Sequence, residues 1–209
     1  MKPKVIFIDW DGTLSNSRFW QQWQSKIEHD AKYQIIQKVL FTDARDLLSD
    51  WMRGYRTVDS VMEYVAELSR IPYEELMTEL QYSCENMNFI EDNVMTLIQQ
   101  IRNKGMAVVI ATDNMDTFSR WTAPALKLDK LFDDILLSVD RGALKTDTDA
   151  DGTSAFFNHF FLSTGIKPKE SLLIDDSRNN KAVERFGMNF QHVSNSEPLS
   201  THLINFTQL

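Results

Sequence analysis

Three short apolar runs in this chain each stop abruptly at a cluster of acids or hydroxyls. Val5-Ile6-Phe7-Ile8 ends in Asp9-Trp10-Asp11-Gly12-Thr13, Met106 to Ala111 runs into Thr112-Asp113-Asn114, and Ser171 to Ile174 runs into Asp175-Asp176-Ser177. Runs without polar alternation suit parallel strands covered on both faces, and the polar ends mark turns. A weaker fourth strand is expected from Ile135 to Val139. Helical segments separate the strands. Ile90 to Lys104 stops at Gly105, and residues 114–128 form a helix that breaks or kinks before Pro124. Thr153 or Ser154 caps a helix through Leu162 that Gly165 terminates, and residues 179–186 close at Gly187. The expected fold is therefore α/β, a Rossmann-like parallel sheet with helices on both faces.

Residues 15–89 follow a different pattern. They contain no convincing strand but four helical stretches, 19–40, 43–52, 57–69 and 73–84. Trp20, Trp23, Ile27 and Ala31 form a stripe at spacings of three and four, continued by Ile35. Pro72 opens the last stretch at its first turn. Between 15 and 92 stand eight basic and 14 acidic residues, so this region carries −6 of the chain's net −8. The pattern predicts an all-helical insert, 15–89, after the first strand of a core built from 1–14 and 90–209.

Charge and composition remove several function classes. A net charge of −8 repels polyanions, and no basic or aromatic surface run is visible, so nucleic acid is not an expected partner. No stretch approaches the 18 apolar residues of a membrane span, and an acid at position 9 interrupts any signal-peptide core. The single Cys84 allows no intrachain disulfide. These features lead us to expect a cytoplasmic protein, monomer or homodimer. Four scattered histidines, His29, His159, His192 and His202, lack zinc-site spacing.

The acids at the strand ends carry the chemistry. In an open parallel sheet, ligands bind in the crevice beyond the carboxyl ends of the strands. Asp9, Asp11, Thr112, Asp113, Asp175 and Asp176 converge there although they are far apart in sequence. Gathered carboxylates cost several kcal/mol unless a cation neutralises them. Hard oxygen ligands without histidine or cysteine favour Mg²⁺.

In these residues the chain resembles the haloacid dehalogenase superfamily of phosphotransferases. The first family motif stands as Asp9-Trp10-Asp11-Gly12-Thr13, followed by Leu14. The second falls on Thr112, the third on Lys145, and the fourth on Asp175-Asp176 with Asn180. The resemblance implies that Asp9 is the nucleophile, forming an aspartyl-phosphate, and that Asp11 is general acid and then general base. Thr112 would hydrogen-bond a phosphoryl oxygen and Lys145 would offset charge on the phosphate and Asp9. Asp9, Asp176 and the backbone carbonyl of Asp11 would hold Mg²⁺, with Asp175 in or near its second shell. Asp113 is a further substrate-binding candidate. The second aspartate selects the reaction. A halide leaves without a proton, whereas an alkoxide needs an acid.

The third motif departs from the family's usual Lys-Pro-Asp-Pro. Here Lys145-Thr146-Asp147-Thr148 precedes an acidic insertion, Asp149-Ala150-Asp151-Gly152. Asp147-x-Asp149-x-Asp151-Gly152 matches the first half of a calcium loop. Position twelve is Asn158, however, and the entering helix is missing, so the segment reads as a solvated acidic turn with capping duty.

The helical insertion resembles the family's cap, which closes over the site and selects the leaving group. Arg53 and Arg56 lie in Trp51-Met52-Arg53-Gly54-Tyr55-Arg56, where capped relatives place a glycine-containing substrate loop. Both are substrate-binding candidates, with Arg18 behind them. Trp20 and Trp23 read as cap core, and Trp10 as a packing residue facing away from the acids. The expected function is a Mg²⁺-dependent phosphomonoesterase acting on a small phosphorylated metabolite. The alternatives are a phosphomutase of the same superfamily and a catalytically inactive binding protein on this fold.

Overall fold

The computed structural model describes residues 2–25, 27–177 and 180–208. Five strands form one sheet: β1 (Val5–Ile8), β2 (Ala107–Thr112), β3 (Asp134–Leu137), β4 (Ser171–Asp175) and β5 (Asn189–His192). Their order is β3-β2-β1-β4-β5, and every pairing is parallel. Ile8 lies opposite Ile110 on one side and Ile174 on the other. This register brings the polar ends of the three apolar runs to one edge.

Both faces of the sheet are covered, which explains why its central strands lack polar alternation. Ile6 and Ile8 join a core that includes α5 (Val94–Asn103) and α11 (Leu199–Thr207). Val5 and Phe7 face the opposite way, toward α9 (Asn158–Thr164) and α10 (Asn180–Arg185). There Phe7 stands 5.1 Å, centroid to centroid, from both Phe157 and Phe160. Short turns α6 (Ala123–Ala125), α7 (Leu128–Leu131) and α8 (Ser138–Arg141) fill the remaining connections. Pro124 stands at the start of α6, directly after a π-helical turn over Phe118–Thr122, as its missing N–H requires.

Between β1 and α5 the described residues form helices only. These are α1 (Ile27–Lys38), α2 (Arg45–Met52), α3 (Val58–Ser69) and α4 (Tyr73–Glu85), with a 3₁₀ turn at Gln21–Ser25 and a π-helical turn at Val39–Asp43. The Ile90 N–H donates to the Leu14 carbonyl at 2.8 Å, and the Asn88 N–H to Ser17 Oγ at 2.9 Å. The entry and exit of the insertion therefore run side by side.

Two expectations need correction. The stretch 19–40 is not one helix with one stripe. Trp20 takes a left-handed backbone (φ 55°) and a 3₁₀ turn follows, so the helical phase resets before α1. Trp20 and Trp23 are buried, but Ala31 and Ile35 are exposed, and Tyr33, Ile36 and Leu40 face the core instead. The side chain of Ile27 lies outside the described residues. Pro72 is the N-cap of α4 rather than a residue of its first turn. Two elements escaped the sequence reading. Strand β5 has one large apolar residue and only partial burial. Helix α11 did leave a signal, since Leu199, His202, Leu203 and Phe206 recur at helical spacing behind Pro198.

Candidate active site

Asp9 and Asp11 lie in the turn that leaves β1. The Asp9 N–H continues the ladder by donating to the Ile174 carbonyl at 3.0 Å. Trp10, between the acids, turns into the core and packs edge-to-face on Phe118 at 5.2 Å and Phe89 at 5.7 Å. Gly12 then adopts φ +78°, in close approach to Asp176. Thr13 is fully buried, and its Oγ1 accepts the Asp176 N–H at 3.1 Å. The first motif and the β4 end are thus stitched together directly.

Lys145 sits at the centre. Its Nζ lies 2.8 Å from Asp9 Oδ1 and 2.5 Å from Asp175 Oδ2, and all three side chains are buried. Its backbone N–H donates to Asp113 Oδ1 at 2.8 Å. Burial alone would weaken the ammonium, but Asp9, Asp175 and Asp113 outweigh it and hold Lys145 firmly charged. Asp175 also accepts the Ser177 N–H at 2.7 Å, so both of its oxygens are engaged. Lys145 and these hydrogen bonds overcome burial and keep the Asp175 carboxyl below its ordinary range.

The other acids are pushed the opposite way. Burial, opposed by Lys145 and reinforced by Asp175, pushes the Asp9 carboxyl up to about 7. Burial also raises Asp113, and burial with the charges of Asp175 and Asp11 raises Asp176. Asp11 is raised by burial against the pull of Arg18, whose guanidinium pairs with its Oδ1. One buried lysine is insufficient for this many carboxylates.

The donor set fits a cation. Carboxylate oxygens of Asp9, Asp175 and Asp176 lie within 4.8 Å of one another, the one such group found among the described residues. With Asp175 committed to Lys145 and Ser177, Asp9 and Asp176 have the oxygens left for a metal. Thr112 supplies the complementary feature: its Oγ1 is buried at the end of β2 without a hydrogen-bond partner. A buried hydroxyl left unpaired is costly unless a ligand completes it. A cavity of about 360 Å³ joins Asp9, Thr112, Lys145 and Asp176.

The two loop arginines lie elsewhere. Arg53 makes a two-pronged contact with Asp147, Nε and Nη2 each at 3.0 Å, and Arg56 is exposed and lines none of the cavities described here. Gly54 explains the arrangement. At φ +76° it packs so closely on the Val139 carbonyl that a Cβ would stand 2.6 Å from the oxygen. The loop therefore docks on the core. Among the described residues of the insertion, Arg18, seven residues after Asp11, is the cation that reaches the acids. Asp116 had no sequence signal, yet its carboxylate accepts from Trp51 Nε1 at 2.7 Å and the Val58 N–H at 3.1 Å. In the insertion 147–152, Asp147 also accepts the Leu144 N–H and Asp151 accepts from Thr153, so the turn is satisfied internally. Asn180 opens α10, and its side chain lies outside the described residues.

Comparison with known proteins agrees with this architecture. A HAD (haloacid dehalogenase) family enzyme from Bacteroides thetaiotaomicron superposes with a TM-score of 0.72 at 17% identity, covering 98% of this chain and 99% of its own. The same enzyme in complex with magnesium and inorganic phosphate gives 0.65 at 18% identity, over 96% and 98%. L-2-haloacid dehalogenase from Xanthobacter autotrophicus gives 0.66 at 14% identity, over 98% and 83%. No curated protein matches by sequence. A family model described as haloacid dehalogenase-like hydrolase matches residues 3–182, and with the sheet order and the helical insertion after β1 it settles the assignment: the chain belongs to the haloacid dehalogenase-like hydrolases.

Proposed function

We propose that this protein is a Mg²⁺-dependent phosphomonoesterase that hydrolyses a small phosphorylated metabolite, with residues 15–89 as its cap. The observation that carries the reading is the Asp9–Lys145–Asp175 group beside the unpaired Thr112 hydroxyl and Asp176. A phosphoryl group placed there meets a nucleophile, a fixed cation and an uncommitted hydroxyl together. The relative bound to magnesium and inorganic phosphate shares the fold and supports the same choice of metal and ligand.

Asp9 and Asp176 would hold Mg²⁺ with the Asp11 carbonyl, and the ion would neutralise the phosphoryl oxygens. Asp9 attacks phosphorus, and the bond to the ester oxygen breaks as the Asp9 acyl-phosphate forms. Lys145 holds the Asp9 carboxylate in place and faces the negative charge of the phosphoryl group. Asp175 positions Lys145. Thr112 donates its hydroxyl proton to a phosphoryl oxygen. Asp11 protonates the departing oxygen, and then takes a proton from the water that hydrolyses the phosphoenzyme. Its pairing with Arg18 must first be released or reoriented, a role suited to cap movement. Asp113 orients Lys145 through its backbone N–H.

Phosphate release across a panel of phosphate esters, with Mg²⁺ and with chelator, tests the reading. Turnover should require the metal, and Asp9→Asn should form no acid-stable phosphoenzyme. Equal turnover in chelator would reject the scheme.

A further inference from the structure

Two cavities meet at Asp11 and Asp113. The one around Asp9, Thr112 and Lys145 is polar, as a phosphoryl site must be. The other, about 390 Å³, is walled by Trp10 and Met115 of the core and by Phe19, Phe41, Leu48 and Met52 of the insertion. Leu48 and Met52 stand four apart on α2 and so share one helix face. Phe41 comes from the π-helical turn Val39–Asp43, a distortion common at functional sites.

Several polar groups around this second cavity already hold a partner within the protein. Ser17 Oγ accepts the Asn88 N–H, Asn114 Oδ1 accepts the Met115 N–H at 3.0 Å, and Arg18 is paired with Asp11. Gln37 remains. A hexose or other polyol would bring several hydroxyls, each losing water against phenylalanine, leucine and methionine. Unpaired hydroxyls are penalised heavily in such a wall. A flat ring gains instead, from aromatic edges and adaptable thioethers. The cavity is near the small end of the usual ligand-pocket range of about 300–1,000 Å³, which suits one or two rings rather than a long acyl chain.

We propose that the substrate is a phosphate ester of an apolar, ring-bearing alcohol, its phosphoryl group at Lys145 and its ring between Trp10 and the Phe41–Met52 wall. This rests on the phosphomonoesterase reading and adds the chemical class of the leaving group.

The test compares phosphate release, with Mg²⁺, from 2-phenylethyl phosphate, ethyl phosphate and glucose 6-phosphate. All three are esters of primary alcohols, so differences in kcat/KM report the pocket. A single methylene in an apolar pocket is worth about 10-fold or more. The phenylethyl ester should therefore exceed ethyl phosphate at least about 10-fold and glucose 6-phosphate about 100-fold. Met52→Gln and Phe41→Asn should each shrink the phenylethyl-to-ethyl ratio. A glucose 6-phosphate rate equal to or above the phenylethyl rate overturns the proposal. Absence of release from all three, and from reactive acetyl phosphate, rejects the phosphomonoesterase reading instead. In that case thermal stabilisation by 3-phenylpropylphosphonate, absent with methylphosphonate, still supports an apolar pocket. Equal shifts from both phosphonates overturn it.

Discussion

At Gly12 the backbone sits at φ +78°, and a Cβ would stand 2.1 Å from Asp176 Oδ2. Gly12→Ala must therefore strain the turn and push Asp176 out of place. Mg²⁺ affinity should fall by about 10- to 100-fold, as when the supports of a metal ligand are removed. Calorimetric titration of the purified variant checks this, and unchanged affinity would separate Asp176 from the metal. Asp11→Asn asks a different question. General acid–base assistance is worth about 10²–10⁴-fold, so phosphate transfer from an alkyl ester should slow by that order. p-Nitrophenyl phosphate, whose leaving group scarcely needs a proton, should lose much less in its phosphoenzyme burst. Proportional losses for both esters would remove the acid role. The residues of this turn were legible in the sequence because Asp-x-Asp-Gly-Thr is a contiguous pattern. The unpaired Thr112 hydroxyl and the engagement of both Asp175 oxygens were not, because they depend on which neighbours fold against them.

Helix ends and loops explain where the insertion is anchored. Asp116, just past β2, caps the start of α3 through the Val58 N–H and holds the indole of buried Trp51. Asp116→Ala leaves both donors without this partner. Stranded buried donors cost about 1–3 kcal/mol each; both of these bonds are only partly buried, so a loss at the lower end, about 2–3 kcal/mol in all, is expected. At about 2–4 °C per kcal/mol for a chain of this size, Tm should drop by roughly 5–10 °C, measurable by calorimetry. A drop under a degree would mean that water replaces the carboxylate. The Arg53–Asp147 contact belongs to the same system, tying the insertion to the loop that carries Lys145. Arg53→Ala should therefore act on Lys145 geometry, lowering kcat by a few-fold for every ester regardless of its alcohol. An effect confined to KM for one substrate would instead return Arg53 to substrate contact. The sequence places both arginines in a substrate loop because they flank a glycine between two helices, where capped relatives have such a loop. The close packing of Gly54 on Val139 is a long-range contact that spacing does not encode.

Across the whole molecule, the gathered carboxylates tie metal binding to pH. Asp9 is raised in the fold from an ordinary 3.8 to about 7. Between those values the folded protein holds a proton on Asp9 that the unfolded chain has lost, so the contribution of Asp9 to metal-free stability falls as pH rises from about 4 to about 7. Mg²⁺ must expel that proton, and its affinity should weaken toward tenfold per pH unit as pH falls below about 7. The Mg²⁺-induced rise in Tm should accordingly be larger at pH 8 than at pH 6. A rise independent of pH would mean that Asp9 does not bind the ion. No described helix is long and apolar enough to cross a membrane. The sequence by itself determined the parallel sheet, the helical insertion and the set of acids. Unbroken apolar runs and motif spacing are local properties, readable along the chain. Only the tertiary structure decided that Lys145 bridges Asp9 and Asp175, that Arg18 rather than Arg56 reaches Asp11, and that an apolar cavity adjoins the pocket of Asp9, Thr112 and Lys145. The lysine bridge and the cavity depend on side chains brought together by strand register and loop docking across long sequence separations, and the Arg18 contact on how the turn after Asp11 folds back on itself.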